Sequence, residues 1–293
     1  MERRDDVELL HAAGAEVGEG PVWDPTTGTL LWVDILSRLV HRYDRERGPL
    51  PPELMPLDVG AAVPRRGGGL VLALQDGFWL QEPGGEPRPW VQVEADDPGS
   101  RFNDGKCDPA GRFWAGTMEY SGADDRGALY RLDPDGTVTR RVTGVRISNG
   151  LAWAADARTM YYIDSFAWSV DAFDFDPDAG TVSGRRTAIA FERDGSVPDG
   201  MSIDAEGRLW VAFFGGSSVR RYDPATGECQ VRIELPAPNI TSCAFGGPDL
   251  DELYITSAAA GHDAAGRAAN PAAGGLFRIR PGVRGVAPDL FAG

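Results

Sequence analysis

Lysine is almost absent from this chain. Among twenty-nine lysine and arginine residues only Lys106 is a lysine, a skew that reads as genome composition rather than chemistry. Histidine and cysteine are equally scarce, at three each. His11, His41 and His262 stand too far apart for metal-ligand spacing and read as surface or strand residues. Cys107, Cys229 and Cys243 are scattered and odd in number, which excludes a disulfide framework and fits reduced thiols in a cytoplasm. No apolar run reaches membrane-spanning length, and residues 1–6 lead into none of signal-peptide length, so no membrane partner is expected. A formal charge of -15 leaves nothing to neutralise phosphates and argues against nucleic acid. The G-x-S-x-G elbow, the P-loop and the dinucleotide glycine pattern are all missing, and so are long helical patterns.

What the chain does have is turn residues, with 38 glycines and 22 prolines, and a repeat. Ser148-Asn149-Gly150-Leu151-Ala152-Trp153 runs into Met160-Tyr161-Tyr162-Ile163-Asp164. The same grammar returns at Gly18-Glu19-Gly20-Pro21-Val22-Trp23, at Arg101-Phe102-Asn103-Asp104-Gly105-Lys106, and at Pro198-Asp199-Gly200-Met201. In each, an acid or amide and a glycine precede a short apolar strand, a turn, and a second strand bearing an aromatic. Aligned on that second strand, Trp32, Val71, Trp114, Tyr162, Trp210 and Tyr254 lie 39, 43, 48, 48 and 44 residues apart. That period is the length of a four-stranded propeller blade. Length alone would allow two domains, but all-β folds of this size often form one. The expectation is an all-β, six-bladed β-propeller occupying residues 1–293 as a single domain. Val7-Glu8-Leu9-Leu10 is a strand without a blade, and it belongs beside the C-terminal segment, where the two ends close the ring. Residues 258–275 read as a surface loop within the sixth unit.

Propeller symmetry converts a sequence offset into a position in space. Five residues before the end of each inner strand stand Glu19, Gly60, Asn103, Asn149, Asp199 and Thr241. Four of these six carry the oxygen donors that hard cations take, and Asp104 adjoins one of them. Asn-Gly and Asp-Gly pairs also start turns, and any one of these residues alone would read that way. Taken together, two acids facing a narrow channel would repel one another and hold raised pKa values. One divalent ion bound by Glu19, Asn149 and Asp199 removes that repulsion. Asp34 and Asp164, at matching ends of second strands, read as structural. Trp23, Trp114, Trp153 and Trp210 read as blade packing.

With these segments, and with Gly116-Thr117-Met118 and Thr241-Ser242-Cys243-Ala244-Phe245-Gly246-Gly247, nearly the whole chain resembles the senescence-marker-protein/gluconolactonase/luciferin-regenerating-enzyme family, the regucalcin-like sugar lactonases. The resemblance implies a six-bladed propeller with one catalytic divalent metal in its channel (Ca, Zn, Mn or Mg). It implies Glu19, Asn149 and Asp199 as the ligands, with Arg101 and Asn103 meeting the substrate. Asp104 adjoins them and is expected to brace the loop that presents them. In regucalcin-like members an acid a little beyond Gly-Thr-Met touches the sugar. Here Glu119 follows Met118 directly and the loop at 120–126 is short, so Glu119 is a substrate contact or a solvated loop acid.

The reaction expected is hydrolysis of a sugar lactone to its aldonic acid. The metal acts as Lewis acid, and either Asp199 or a metal-bound water activates the nucleophile. The expected partner is a small sugar lactone, and the chain is expected to be a monomer or weak homo-oligomer. Two alternatives are a non-catalytic calcium-binding propeller and a metal-dependent hydrolase of another ester, such as an organophosphate.

Overall fold

The computed structural model describes residues Met1–Gly293. Six sheets stand around one axis as a β-propeller, with the strands of each sheet following one another outward. The innermost strands are Gly18–Asp24, Val59–Pro64, Ser100–Cys107, Ser148–Trp153, Val197–Ile203 and Asn239–Gly246. Neighbouring sheets pack face to face, so strands near the axis are covered on both sides and read as apolar runs rather than alternating ones. The six residues that defined the repeat fill these interfaces. Trp32, Val71, Trp114, Tyr162, Trp210 and Tyr254 are each at most 1% exposed. Trp114 and Trp210 also donate their Nε1–H to the inner-strand-end carboxylates of Asp108 and Asp204, both at 2.9 Å. A buried indole thus keeps a partner for its polar edge.

The ring closes as the sequence implied. Glu8–His11 is the outer strand of the sixth blade and pairs antiparallel with Leu276–Ile279. A second closure was not legible in advance: Glu2–Arg4 adds a parallel fifth strand to the fifth blade, against Cys229–Glu234. The buried Glu252 carboxylate then ties distant segments together, accepting from Arg45, Arg280 and Tyr254. Asp34 and Asp164 are structural as expected. Each accepts from two backbone amides leading into an inner strand, Glu16 and Val17 in one blade and Arg146 and Ile147 in another.

The C-terminal segment forms a strap. It leaves the sixth blade, hydrogen-bonds Leu250 and Ala205 through Gly285 and Arg284, and ends on Pro64 and Gly111 through Phe291 and Ala292. Phe291 is fully buried against residues of the second and third blades. The strap therefore joins opposite sides of the ring. The loop at 258–275 contains a short helix, Ala264–Ala269, whose first turn is capped by Asp263 accepting from the Gly266 amide. No helix is long and apolar enough to cross a membrane.

Candidate active site

Every innermost strand carries a β-bulge at the same height. The register slips between Glu19 and Val22, Val59 and Ala61, Phe102 and Gly105, Ser148 and Leu151, Pro198 and Met201, and Ile240 and Ser242. A bulge inserts an unpaired residue and re-aims its side chain. Of the six positions that the offset singled out, Gly60, Asn103, Asn149, Asp199 and Thr241 fall within these bulges, and Glu19, paired with Val33, stands at the edge of its own. This is how strands that are otherwise apolar present acids and amides to one channel. The glycines beside them are set by packing between blades. A Cβ on Gly150 would stand 2.6 Å from the Met201 Cβ, and one on Gly200 would run into the Ser242 side chain.

Glu19, Asp104 and Asp199 form one buried acidic group. Burial pushes the Glu19 carboxyl well above the usual range, and the charges of Asp199 and then Asp104 push it further. Burial likewise raises Asp199 well above its ordinary value, followed by the charge of Asp104, while a hydrogen bond shared with Glu19 works the other way. Burial also raises Asp104, against the opposing charge of Lys106. Glu19 accepts from the Gly20 amide at 2.6 Å and Asp104 from the Gly105 amide at 2.7 Å.

The amides are fixed in one chain of hydrogen bonds. Asn149 donates to Ser165 Oγ at 2.8 Å, which leaves its Oδ1 on the side of Asn103. Asn103 Nδ2 donates to the Ser148 carbonyl at 2.8 Å and to Asn149 Oδ1 at 3.2 Å. Its own Oδ1 accepts from Arg101 Nη1 at 2.7 Å. Arg101 is 7% exposed, lies 5.6 Å from the Tyr120 ring centroid, and keeps a buried Nε–H with no acceptor. Tyr120 is in turn held by Asp58 at 2.7 Å. The Asp58–Tyr120–Arg101 series escaped the sequence reading, because nothing in the spacing of these residues signals that two loops meet.

Four sequence candidates thus interact with one another around the acids, namely Glu19, Asp104, Asp199 and Arg101; Asn103 hydrogen-bonds Arg101 directly, and Asn149 joins through Asn103. Glu119 does not join them. Its carboxylate takes Arg126 at 2.7 Å and Ser121 at 2.9 Å within its own loop. Thr241 donates its hydroxyl to the Gly18 carbonyl, stitching the sixth blade to the first, and hydrogen-bonds the Thr256 hydroxyl. Asp104 holds the Gly105 amide, as a brace would, and also contributes charge to the acid group.

The donor set fits a hard divalent cation. No three His, Cys, Asp or Glu side chains close to metal-ligating distance, so an ion here would take two carboxylates and an amide oxygen. Burial and mutual repulsion hold the Glu19 and Asp199 carboxyls above their usual range even with Arg101 and Lys106 nearby, so the pair gains from a cation.

The profile described as "SMP-30/Gluconolactonase/LRE-like region" matches residues 17–259. The chain is 45% identical to regucalcin of Danio rerio, over 98% of both chains. Among solved structures it resembles a luciferin-regenerating enzyme, with TM-score 0.90 and 34% identity over 98% of this chain and 99% of the other. It also resembles a calcium-binding protein, regucalcin, from Agrobacterium tumefaciens, with TM-score 0.95 and 30% identity over 99% of each.

Proposed function

The chain belongs to the SMP-30/gluconolactonase/LRE-like family, and from that premise we propose that it is a divalent-metal-dependent hydrolase opening sugar lactones to aldonic acids. The observation that carries this reading is the buried, mutually repelling acid pair Glu19 and Asp199 beside the unpaired Nε–H of Arg101. Glu19, Asn149 Oδ1 and Asp199 would hold the ion, which when bound supplies Lewis-acid polarisation of the lactone carbonyl.

The chain's own groups do the rest. Arg101 binds substrate oxygens through a charge-assisted hydrogen bond from Nε, with its plane set by Tyr120 and Asn103. Asn103, already held by Ser148 and Arg101, orients the substrate without moving. Asp199 receives the proton of the water that adds to the carbonyl carbon. When the ring C–O bond breaks, that proton passes to the departing ring oxygen, and the product leaves as a hydroxy acid. The proton step needs Asp199 in its ionised form, which a bound cation favours. Glu119, tied to Arg126, takes no part. Three unpaired thiols suit a reducing compartment such as the cytoplasm.

The test is to strip the protein with chelator, restore Mn, Zn, Ca or Mg singly, and follow acid release from a panel of sugar lactones. Turnover that depends on one of these ions supports the reading; no metal-dependent turnover on any lactone sinks it. A calcium-binding propeller without catalysis is the second reading, favoured by the all-oxygen donor set. Calcium binding without hydrolysis in the same experiment would select it.

A further inference from the structure

Beside Asp104, a partly open cavity adjoins the acid group. Its volume is about 270 Å³, and residues 286–289 of the C-terminal strap form part of its wall. Asp104 and Lys106 line it on the side towards Glu19, and Trp23, Trp153 and Phe245 supply aromatic wall. Trp23 and Trp153 pack between blades, as expected, and also line this cavity. Trp153 is 7% exposed and its Nε1–H has no acceptor in the protein.

The charge in this chamber is not balanced. The Lys106 ammonium donates to the Met201 carbonyl at 2.7 Å and is offset by the charge of Asp104. That leaves Asp289, on the strap. Its carboxylate makes no hydrogen bond or ion pair. Burial raises its pKa to about 6, followed by the charge of Asp108, while the guanidinium of Arg66 acts in the opposite direction without pairing to it. A partly buried, unpaired carboxylate in a chamber that aromatic side chains also line suits an organic cation, through charge and through contact with the rings. The chamber volume lies at the lower end of ligand-pocket size and admits one small ring or a branched ammonium. A net charge of -15 further concentrates cations at the surface.

We propose that this chamber is a second binding site, separate from the acid group, for a small organic cation of the alkylammonium class, with Asp289 as counter-ion and Trp23, Trp153 and Phe245 as wall. The site does not depend on lactone hydrolysis. Its experiment is accordingly run on metal-free protein: titrate benzyltrimethylammonium at pH 7.5, reading tryptophan fluorescence and calorimetry, with benzyl alcohol as the uncharged comparator. One saturable site is expected for the cation and at least tenfold weaker binding for the alcohol. Asp289→Asn is expected to weaken the cation at least tenfold while keeping wild-type thermal stability and wild-type turnover on any lactone the protein hydrolyses. Glu19→Gln is expected to bind the cation like wild type. Absence of saturable binding, equal binding by Asp289→Asn, or loss of binding in Glu19→Gln alone would each overturn the assignment; the last would place the cation at the acid pair instead. Should Asp289→Asn fail to fold, deletion of the Trp23 ring in Trp23→Leu provides the second variant, read by the same titration.

Discussion

Replacing Asp199 with asparagine separates what the acid group does for function from what it does to the fold. The change keeps size and removes one of three buried carboxyls. Both Glu19 and Asp199 have folded-state pKa values well above the ordinary range. The metal-free native state therefore holds protons that the unfolded chain has already released. Stability is then fullest at or below the ordinary carboxyl pKa, near 4, and falls as pH rises towards the raised values. Each such proton contributes a slope of about 1.4 kcal/mol per pH unit. For a chain of this length that slope is about 2 °C in Tm per pH unit. The assay is differential scanning calorimetry of both proteins in chelator between pH 5 and 7, repeated with the activating ion. Without metal, Asp199→Asn should melt higher than wild type at pH 7 and lose stability with pH less steeply by about one proton. With metal the order should invert, because only wild type gains from the ion. A metal-free Asp199→Asn that melts below wild type at pH 7, or an unchanged slope, would refute the argument that these acids strain the fold for want of a cation.

The same raised values require that metal binding expel protons. Calorimetry in buffers of different ionisation enthalpy should find net proton release on ion binding, and zero release from pH 5 to 7 would contradict the assignment. Arg101→Lys loses the fork and the open Nε–H, so kcat/KM should fall about a hundredfold with Tm nearly unchanged; wild-type kinetics would remove Arg101 from the site. Gly200→Ala forces a methyl against Ser242, and should destabilise by about 1–3 kcal/mol in chemical denaturation. Glu252→Gln leaves three arginines around a lost charge far from the channel, so unfolding should be easier by about 3 kcal/mol while kcat at 25 °C holds.

The blades could be read from sequence because their determinants are local. An inner strand, a turn and an aromatic on the next strand lie within about fifteen residues, and burial between sheets demands that aromatic wherever the blade recurs. The place of the first strand followed from the same logic, since an unpaired strand at one end needs an edge at the other. Glu19, Asn149 and Asp199 were found by offset alone because symmetry maps equal offsets to equal heights. Sequence could not show why those positions face inward. That depends on a bulge in each inner strand, and a bulge is a property of pairing between strands. It also could not tell donor from stitch at Thr241, whose hydroxyl is spent on the first blade some 223 residues away. Glu119 was equally ambiguous, and its ion pair with Arg126 across a loop was not legible in the spacing.

What the sequence determined by itself, then, is the repeat: how many blades, which residues fill the spaces between them, and which positions recur at one level of the channel. Tertiary structure alone decided which of those residues meet, which keep an unpaired proton or charge, and how the C-terminal strap walls a chamber beside them. The reason is range. Burial patterns act between neighbours along the chain, whereas electrostatic pairing in a ring depends on distances that exist only once the last blade has closed against the first.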